Sequence, residues 1–382
     1  RGESVILSLS TQMGSAKTLK NKAAVADFTG AMLMRGTTNY TREQLKDEFD
    51  KLKTNARIGG SAEGTFARLQ TVKANLLPAI TLMAEVLKNP SFDAKEFAQL
   101  KATTEVDLEQ QLQDPQAIAF REYSRQLSSF DKSHPRYVAT LTEELELLKS
   151  VKLEELKDFH QAFYGADNMQ ISVVGDFDER QVVKAIESLF SDWHNKSEYQ
   201  KILHPYQKLT VNHQSFNTPD KENAVFVAAT NLPVGLSSKD APALELGNYI
   251  FGGGFLNSRL AMRLRQKDGL SYGAGSFINM SRNDARASMG AYAICAPQNL
   301  SKVEQGFKEE LARLIEDGFT ADEIAEAKSG LLQSKRVSRS QDGELVSKLN
   351  GNLFHSKTMQ FSKAYEQALS MLSAEDVHEV IK

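Results

Sequence analysis

The sequence predicts two homologous α+β domains in one chain, each a mainly antiparallel sheet with helices packed on one face. Three observations carry that prediction. The chain has 382 residues, more than one average domain. It contains an internal repeat. Within each copy, apolar patterns of strand and helix period follow one another in the same order.

The repeat is clearest where Pro90-Ser-Phe-Asp-Ala-Lys-Glu-Phe-Ala-Gln-Leu-Lys101 echoes Gly318-Phe-Thr-Ala-Asp-Glu-Ile-Ala-Glu-Ala-Lys328, with Phe92 matching Phe319 and Lys101 matching Lys328. Each segment reads as a helix start. Asp93 or Thr320 can cap, and an acidic residue stands three positions later as in a capping box. An amphipathic helix precedes each. Leu77, Ile80, Met83, Val86 and Leu87 share one helical face in the first copy, and Val303, Phe307, Leu311, Leu314 and Ile315 share one in the second. Before these helices lie β-like stretches, Ala56 to Val72 and Leu270 to Ile294. Further back, Val5-Ile-Leu-Ser-Leu corresponds to Val225-Phe-Val-Ala-Ala. Near the ends, Leu153-Glu-Glu-Leu-Lys-Asp resembles Ala374-Glu-Asp-Val-His-Glu. The first copy continues into an apolar strand, Asn168-Met-Gln-Ile-Ser-Val-Val-Gly175, and the second stops before its counterpart. A polar stretch with Pro205 and Pro219 separates the copies. The predicted division is therefore a first domain at 1–200, a linker at 201–223 and a second domain at 224–382.

Composition removes several classes of function. With 46 basic and 49 acidic residues the net charge is -3, and no basic cluster interleaved with aromatics argues for nucleic acid. No apolar run is long enough to span a bilayer. Cys295 is the lone cysteine, so neither an internal disulfide nor a cysteine-based zinc cage can form. Its alternating surroundings, Met289-Gly-Ala-Tyr-Ala-Ile-Cys295, read as a buried strand thiol. None of the seven histidines (His134, His160, His194, His204, His213, His355, His378) forms an H-x-x-x-H pair. Glu105, Asp107 and Glu109 read as a solvated helix face and, without imidazole or thiolate partners, make no zinc site. The start at Arg1 and the end at Lys382, within a helical pattern, read as an excised fragment.

The stretch Leu264-Arg-Gln-Lys-Asp-Gly-Leu-Ser-Tyr272-Gly273 joins a predicted helix, Ser258 to Lys267, to a predicted strand, with Gly269 suited to the helix C-cap. Arg265 offers several fixed donors and Tyr272 a phenolic one. Dipole preference alone also favours an Arg in a last helical turn, and a strand Tyr is often half-buried packing. Gly252-Gly-Gly254 lacks the Gly-Lys-Ser/Thr that a phosphate loop needs, so it reads as a turn between helices.

The L-R-x-K-x-G-L-x-Y context around Arg265 and Tyr272 resembles the pitrilysin/insulinase family of zinc peptidases. Met34-Arg-Gly-Thr37, His134-Pro-Arg-Tyr137 and Val173-Val-Gly-Asp-Phe177 follow the same family order. In that family an early helix carries H-x-x-E-H, whose histidines bind zinc while the Glu activates a water. Here the helix reads Ala26-Asp-Phe-Thr-Gly-Ala-Met-Leu-Met-Arg-Gly-Thr37. Aligned on the closing Gly-Thr, Asp27, Gly30 and Ala31 occupy the lost zinc-motif positions. The resemblance thus implies a non-catalytic half, like the C-terminal half of bacterial proteins in which both halves are fused. It implies no cofactor in this chain, zinc in a partner half, an unfolded peptide as substrate and a bacterial periplasmic location. Arg265 and Tyr272 would position the peptide or stabilise its oxyanion. The alternative is an inert scaffold of the same fold, like the core subunits of the mitochondrial cytochrome reductase. An independent hydrolase is disfavoured because no Ser/Cys–His constellation is evident.

Overall fold

The computed structural model describes residues 2–128 and 130–382. The first copy runs β1 (Ser4–Thr11), α1 (Ala23–Met32), α2 (Arg42–Lys51), β2 (Asn55–Ser61), β3 (Gly64–Val72) and α3 (Leu76–Lys88). It continues with α4 (Ala94–Gln111), α5 (Pro115–Gln126), α6 (Leu141–Ser150), α7 (Leu153–Phe163), β4 (Met169–Gly175) and α8 (Glu179–Phe190). Among the described residues no helix or strand lies between Phe190 and Ala224. The second copy has β5 (Ala224–Leu232), α9 (Ala241–Asn248), β6 (Ser271–Met280), β7 (Ala287–Cys295) and α10 (Leu300–Asp317). Helices α11 (Ala321–Ser340), α12 (Asp342–Phe354), α13 (Met359–Met371) and α14 (Ala374–Ile381) complete it.

The duplication read from sequence reappears in the pairing of strands. The first sheet has the order β2-β3-β1-β4 and the second β5-β7-β6, all pairs antiparallel. Read in reverse, β6-β7-β5 repeats β2-β3-β1 strand for strand. The architecture is α+β in two units, as the apolar patterns predict.

Side chains alternate across each strand, so one face of each sheet takes the helical layer. In the first unit Val5, Leu7 and Leu9 of β1 join Ala67 and Leu69 of β3 and the α3 face of Ile80, Met83, Val86 and Leu87. In the second, Ala291, Ala293 and Cys295 of β7 meet Leu246, Val303 and Leu314. Ile315, expected on the α10 core face, is instead 40% exposed, because it lies in the last turn, which ends at Gly318 with φ +68°. Asp93 caps α4 through the amides of Lys95 and Glu96, and Thr320 with Glu323 forms the reciprocal box at α11.

The opposite face of each sheet also carries a helix, and its source is distant in sequence. The first unit consists of 1–109, 130–202 and 338–357, and the second of 110–129, 203–337 and 358–382. Thus α12 belongs to the first unit, where Val346 packs on Ile6 and Val174. Its Asn350 donates from Nδ2 to the carbonyls of Ser8 (2.9 Å) and Gln170 (3.1 Å), and accepts from Ser10 Oγ at 2.6 Å. Conversely α5 belongs to the second unit, where Phe120 meets Tyr292 edge-on and Tyr123 meets Phe277.

Candidate functional site

The segment from Ala261 to Gly273 departs from regular backbone twice, and each departure presents one side chain. Residues Ala261–Lys267 form a π-helix rather than the α-helix expected from Ser258, with the Asp268 amide donating to the Arg263 carbonyl five residues back. π-Helical turns are rare and frequent at functional sites. Gly269 closes the segment with φ +62°, as its place in the sequence predicts, and the Leu270 amide returns to the Leu264 carbonyl at 2.8 Å. The strand β6 then slips register against β7 between Ser271 and Gly273, which leaves Tyr272 as the extra residue of a β-bulge. Bulges re-aim side chains.

Three neighbours of Arg265 are held. Leu264 is buried. Arg263 Nε lies 2.9 Å from Asp268 Oδ2, and its Nη2 bonds Glu309 at 2.8 Å. Gln266 donates to the Leu256 carbonyl. Arg265 itself is exposed, and Tyr272 is 62% exposed at the first turn of an edge strand. Among the described residues neither side chain makes a hydrogen bond or ion pair, and no hydrogen bond joins the two. The structure therefore places both predicted residues on one short, well-anchored segment as a free cation and a free phenol. Sequence reasoning missed the bulge and the π-helix that present them.

The zinc-motif positions lie in the first unit on α1. Gly30 is buried against β2, and a Cβ built on it falls inside contact distance of the backbone N and O of Gly60 and 2.6 Å from Gly60 C. Ala31 is exposed. Neither residue can ligate, and the space in which a Glu would begin is occupied by a strand. Among the described residues no three His, Cys, Asp or Glu side chains form a set able to hold a metal ion. The donors present do not fit zinc.

Asp27 keeps an accessible face, yet the protein crowded around its carboxyl strips away water. That desolvation, followed by the negative charge of Glu144, pushes the carboxyl from 3.8 up to about 6. Nearby Tyr164 is 2% exposed; its hydroxyl has no hydrogen-bond partner, and burial followed by the Asp27 charge raises its phenol well above the ordinary value. Because Asp27 binds its proton more tightly folded than unfolded, its linked stabilisation is full below 3.8 and is lost as pH rises through about 6. Asp27→Asn should therefore gain melting temperature relative to the parent more at about pH 7 than at about pH 4. An equal difference at both pH values would refute the assigned shift.

The chain as a whole is similar to known proteins. The family model described as "Peptidase M16 inactive domain" matches residues 150–331, and the one described as "Insulinase (Peptidase family M16)" matches residues 1–133. The chain belongs to the insulinase family of peptidases. An uncharacterized zinc protease of Rickettsia felis is 25% identical over 332 residues, covering 86% of this chain and 77% of its own length. The crystal structure of a peptidase M16 inactive domain from Pseudomonas fluorescens superposes with a TM-score of 0.85. It is 22% identical and covers 99% of this insulinase-family chain and 89% of its own. The periplasmic protease PqqL from Escherichia coli superposes at 0.76 with 13% identity, and this chain spans 41% of it. No described helix of this family member is long and apolar enough to cross a membrane.

Proposed function

We propose that this chain is the non-catalytic, substrate-binding half of an insulinase-type metallopeptidase. It acts beside a zinc-bearing half, fused or separate, that supplies the bond-breaking chemistry. The observation that carries the reading is the free Arg265 and Tyr272, presented from a π-helix and a β-bulge while Arg263, Leu264 and Gln266 beside them are held. An irregular backbone that holds two unpartnered donors in the open costs stability and returns none within the fold. A guanidinium fork and a phenol together suit a peptide carbonyl, which accepts two hydrogen bonds. The residues on α1 support the second part of the reading, since Asp27, Gly30 and Ala31 offer no zinc site. A periplasmic location belongs to the same proposal, supported by the periplasmic relative from Escherichia coli.

The test is peptide binding to the whole chain, followed by the anisotropy of a fluorescein-labelled unstructured peptide. A hydrogen bond to a charged group contributes about 1.5–3 kcal/mol, so Arg265→Ala should weaken binding about ten- to hundredfold. The melting temperature should not move, because the exposed Arg265 side chain makes no internal hydrogen bond or ion pair among the described residues. A parent chain that binds no peptide at high concentration would replace this reading with the inert scaffold.

A further inference from the structure

Residues 210–217 are all exposed and belong to no helix or strand. Among the described residues none of them makes a backbone hydrogen bond. This stretch contributes connection and little else. On either side of it lie two pieces of chain, 1–209 and 218–382, and each carries a helix that the other needs. The first piece holds the first sheet and α5; the second holds the second sheet and α12. Yet α12 belongs to the unit of the first sheet and α5 to the unit of the second.

The seats of both helices are specific. Val346 of α12 is fully buried on Ile6 and Val174, and Asn350 makes its three bonds to Ser8, Ser10 and Gln170. Arg68 of β3 adds a bond to Ser347 Oγ at 2.9 Å. On the second sheet, Phe120 and Tyr123 of α5 set their rings against Tyr292 and Phe277, with centroids 6.0 and 5.4 Å apart. The Leu127 carbonyl at the end of α5 accepts from Arg286 Nη2 at 3.1 Å and from Asn231 Nδ2 at 3.3 Å. Every one of these contacts joins the first piece to the second, and they run in both directions. While one helix is seated, it keeps the other beside its sheet at high effective concentration. Separation therefore requires both to leave. We infer that the exchanged helices hold the two pieces as a pair, so that the chain keeps its fold when it is cut within 210–217. An exposed stretch of this kind is where proteolytic nicking concentrates, and the exchange preserves the molecule through such a cut.

The test places a specific protease site within 210–217 of the full chain, cuts the folded protein and follows it by sedimentation velocity over a dilution series. The cut parent should sediment as one species with the mass of the uncut chain at micromolar concentration. Asn350→Ala removes three bonds of the α12 seat, so the cut variant should come apart at a concentration about tenfold higher or more. Phe120→Ala, on a helix with no fully buried residue, should weaken the pair several-fold while the uncut variant stays folded. Cut parent pieces that separate at micromolar concentration would overturn the inference. So would cut variants that hold together as tightly as the parent, because contacts other than the exchanged helices would then join the pieces. If uncut Asn350→Ala does not fold, Phe120→Ala decides alone by the same criterion.

Discussion

Gly30→Ala should destabilise the first unit by about 3 kcal/mol, read as a lower urea midpoint at unchanged slope. The size matters less than the sign. Replacing a mid-helix Gly by Ala ordinarily stabilises by about 1 kcal/mol, because Ala has the better helix propensity. Here the new methyl would point into the backbone N and O of Gly60 on β2. A flexible side chain could swing away, but a strand paired with β3 along its whole length cannot. Gly60 has little room to retreat, since its own Cβ direction is already taken by the Tyr164 hydroxyl at 2.5 Å. Helix α1 therefore approaches the sheet more closely than any side chain allows. Gly306→Ala is the control, because its obstacle is the end of the Leu264 side chain, so its loss should be smaller. A Gly30→Ala variant at least as stable as the parent would show that α1 is not held by this contact. The same contact bears on lost chemistry. Gly30→Glu, needed to rebuild the peptidase motif, places a long side chain where a methyl has no room, so restoring three letters of sequence does not restore the site.

The second copy repeats the device. A Cβ on Gly252, in the π-helix Tyr249–Gly253, would stand 2.5 Å from Ser276 Oγ and 2.7 Å from its Cβ on β6. In both copies a glycine in the helical segment that follows the first strand meets the strand at the edge of the sheet. Propensity reads such glycines as weak points of a helix. Gly252-Gly-Gly254 was accordingly expected as a turn, and only the partner strand reveals a packing surface.

Local pattern carried the rest of the fold well. Strands β2, β3, β6 and β7 match the β-like stretches of the sequence to within one residue, and α3 buries the face that its period predicts. What local pattern could not carry is the exchange of α5 and α12. Asn350 bonds Ser8 and Ser10 from the far end of the chain, and no periodicity links residues so distant. Helix α5 has no fully buried residue; its contribution is the edges of Phe120 and Tyr123. The candidate site divides in the same way. The types and spacing of Arg265 and Tyr272 are visible in sequence, because charge and hydroxyl are properties of single residues. Their exposure and lack of internal partners depend on which neighbours Arg263 and Gln266 find, and two of those, Glu309 and Leu256, lie on other elements.

In a reconstituted pair with a zinc-bearing half, Arg265→Ala should lower kcat/KM for peptide cleavage by about a hundred- to a thousandfold, the usual loss when one oxyanion donor is removed. How that loss divides between kcat and KM separates two roles. If Arg265 only holds the ground-state carbonyl, KM rises and kcat is kept; if it meets charge that develops during attack, kcat falls with kcat/KM. Arg265→Lys keeps the charge but loses the planar fork, so it should recover part of the activity in either case. Tyr272→Phe removes one neutral donor and keeps the ring, so its loss should be smaller than that of Arg265→Ala. The contrast with Arg263 two residues away guards against a trivial explanation. Arg263 binds Asp268 and Glu309, so Arg263→Ala should lower the melting temperature and disturb the segment. Arg265→Ala has no internal bond to lose and should melt with the parent. Cleavage unchanged by Arg265→Ala would remove the assigned role, whereas a parallel fall in melting temperature would make Arg265 a structural residue. Loss of turnover at constant stability is the result that only a residue facing the substrate produces.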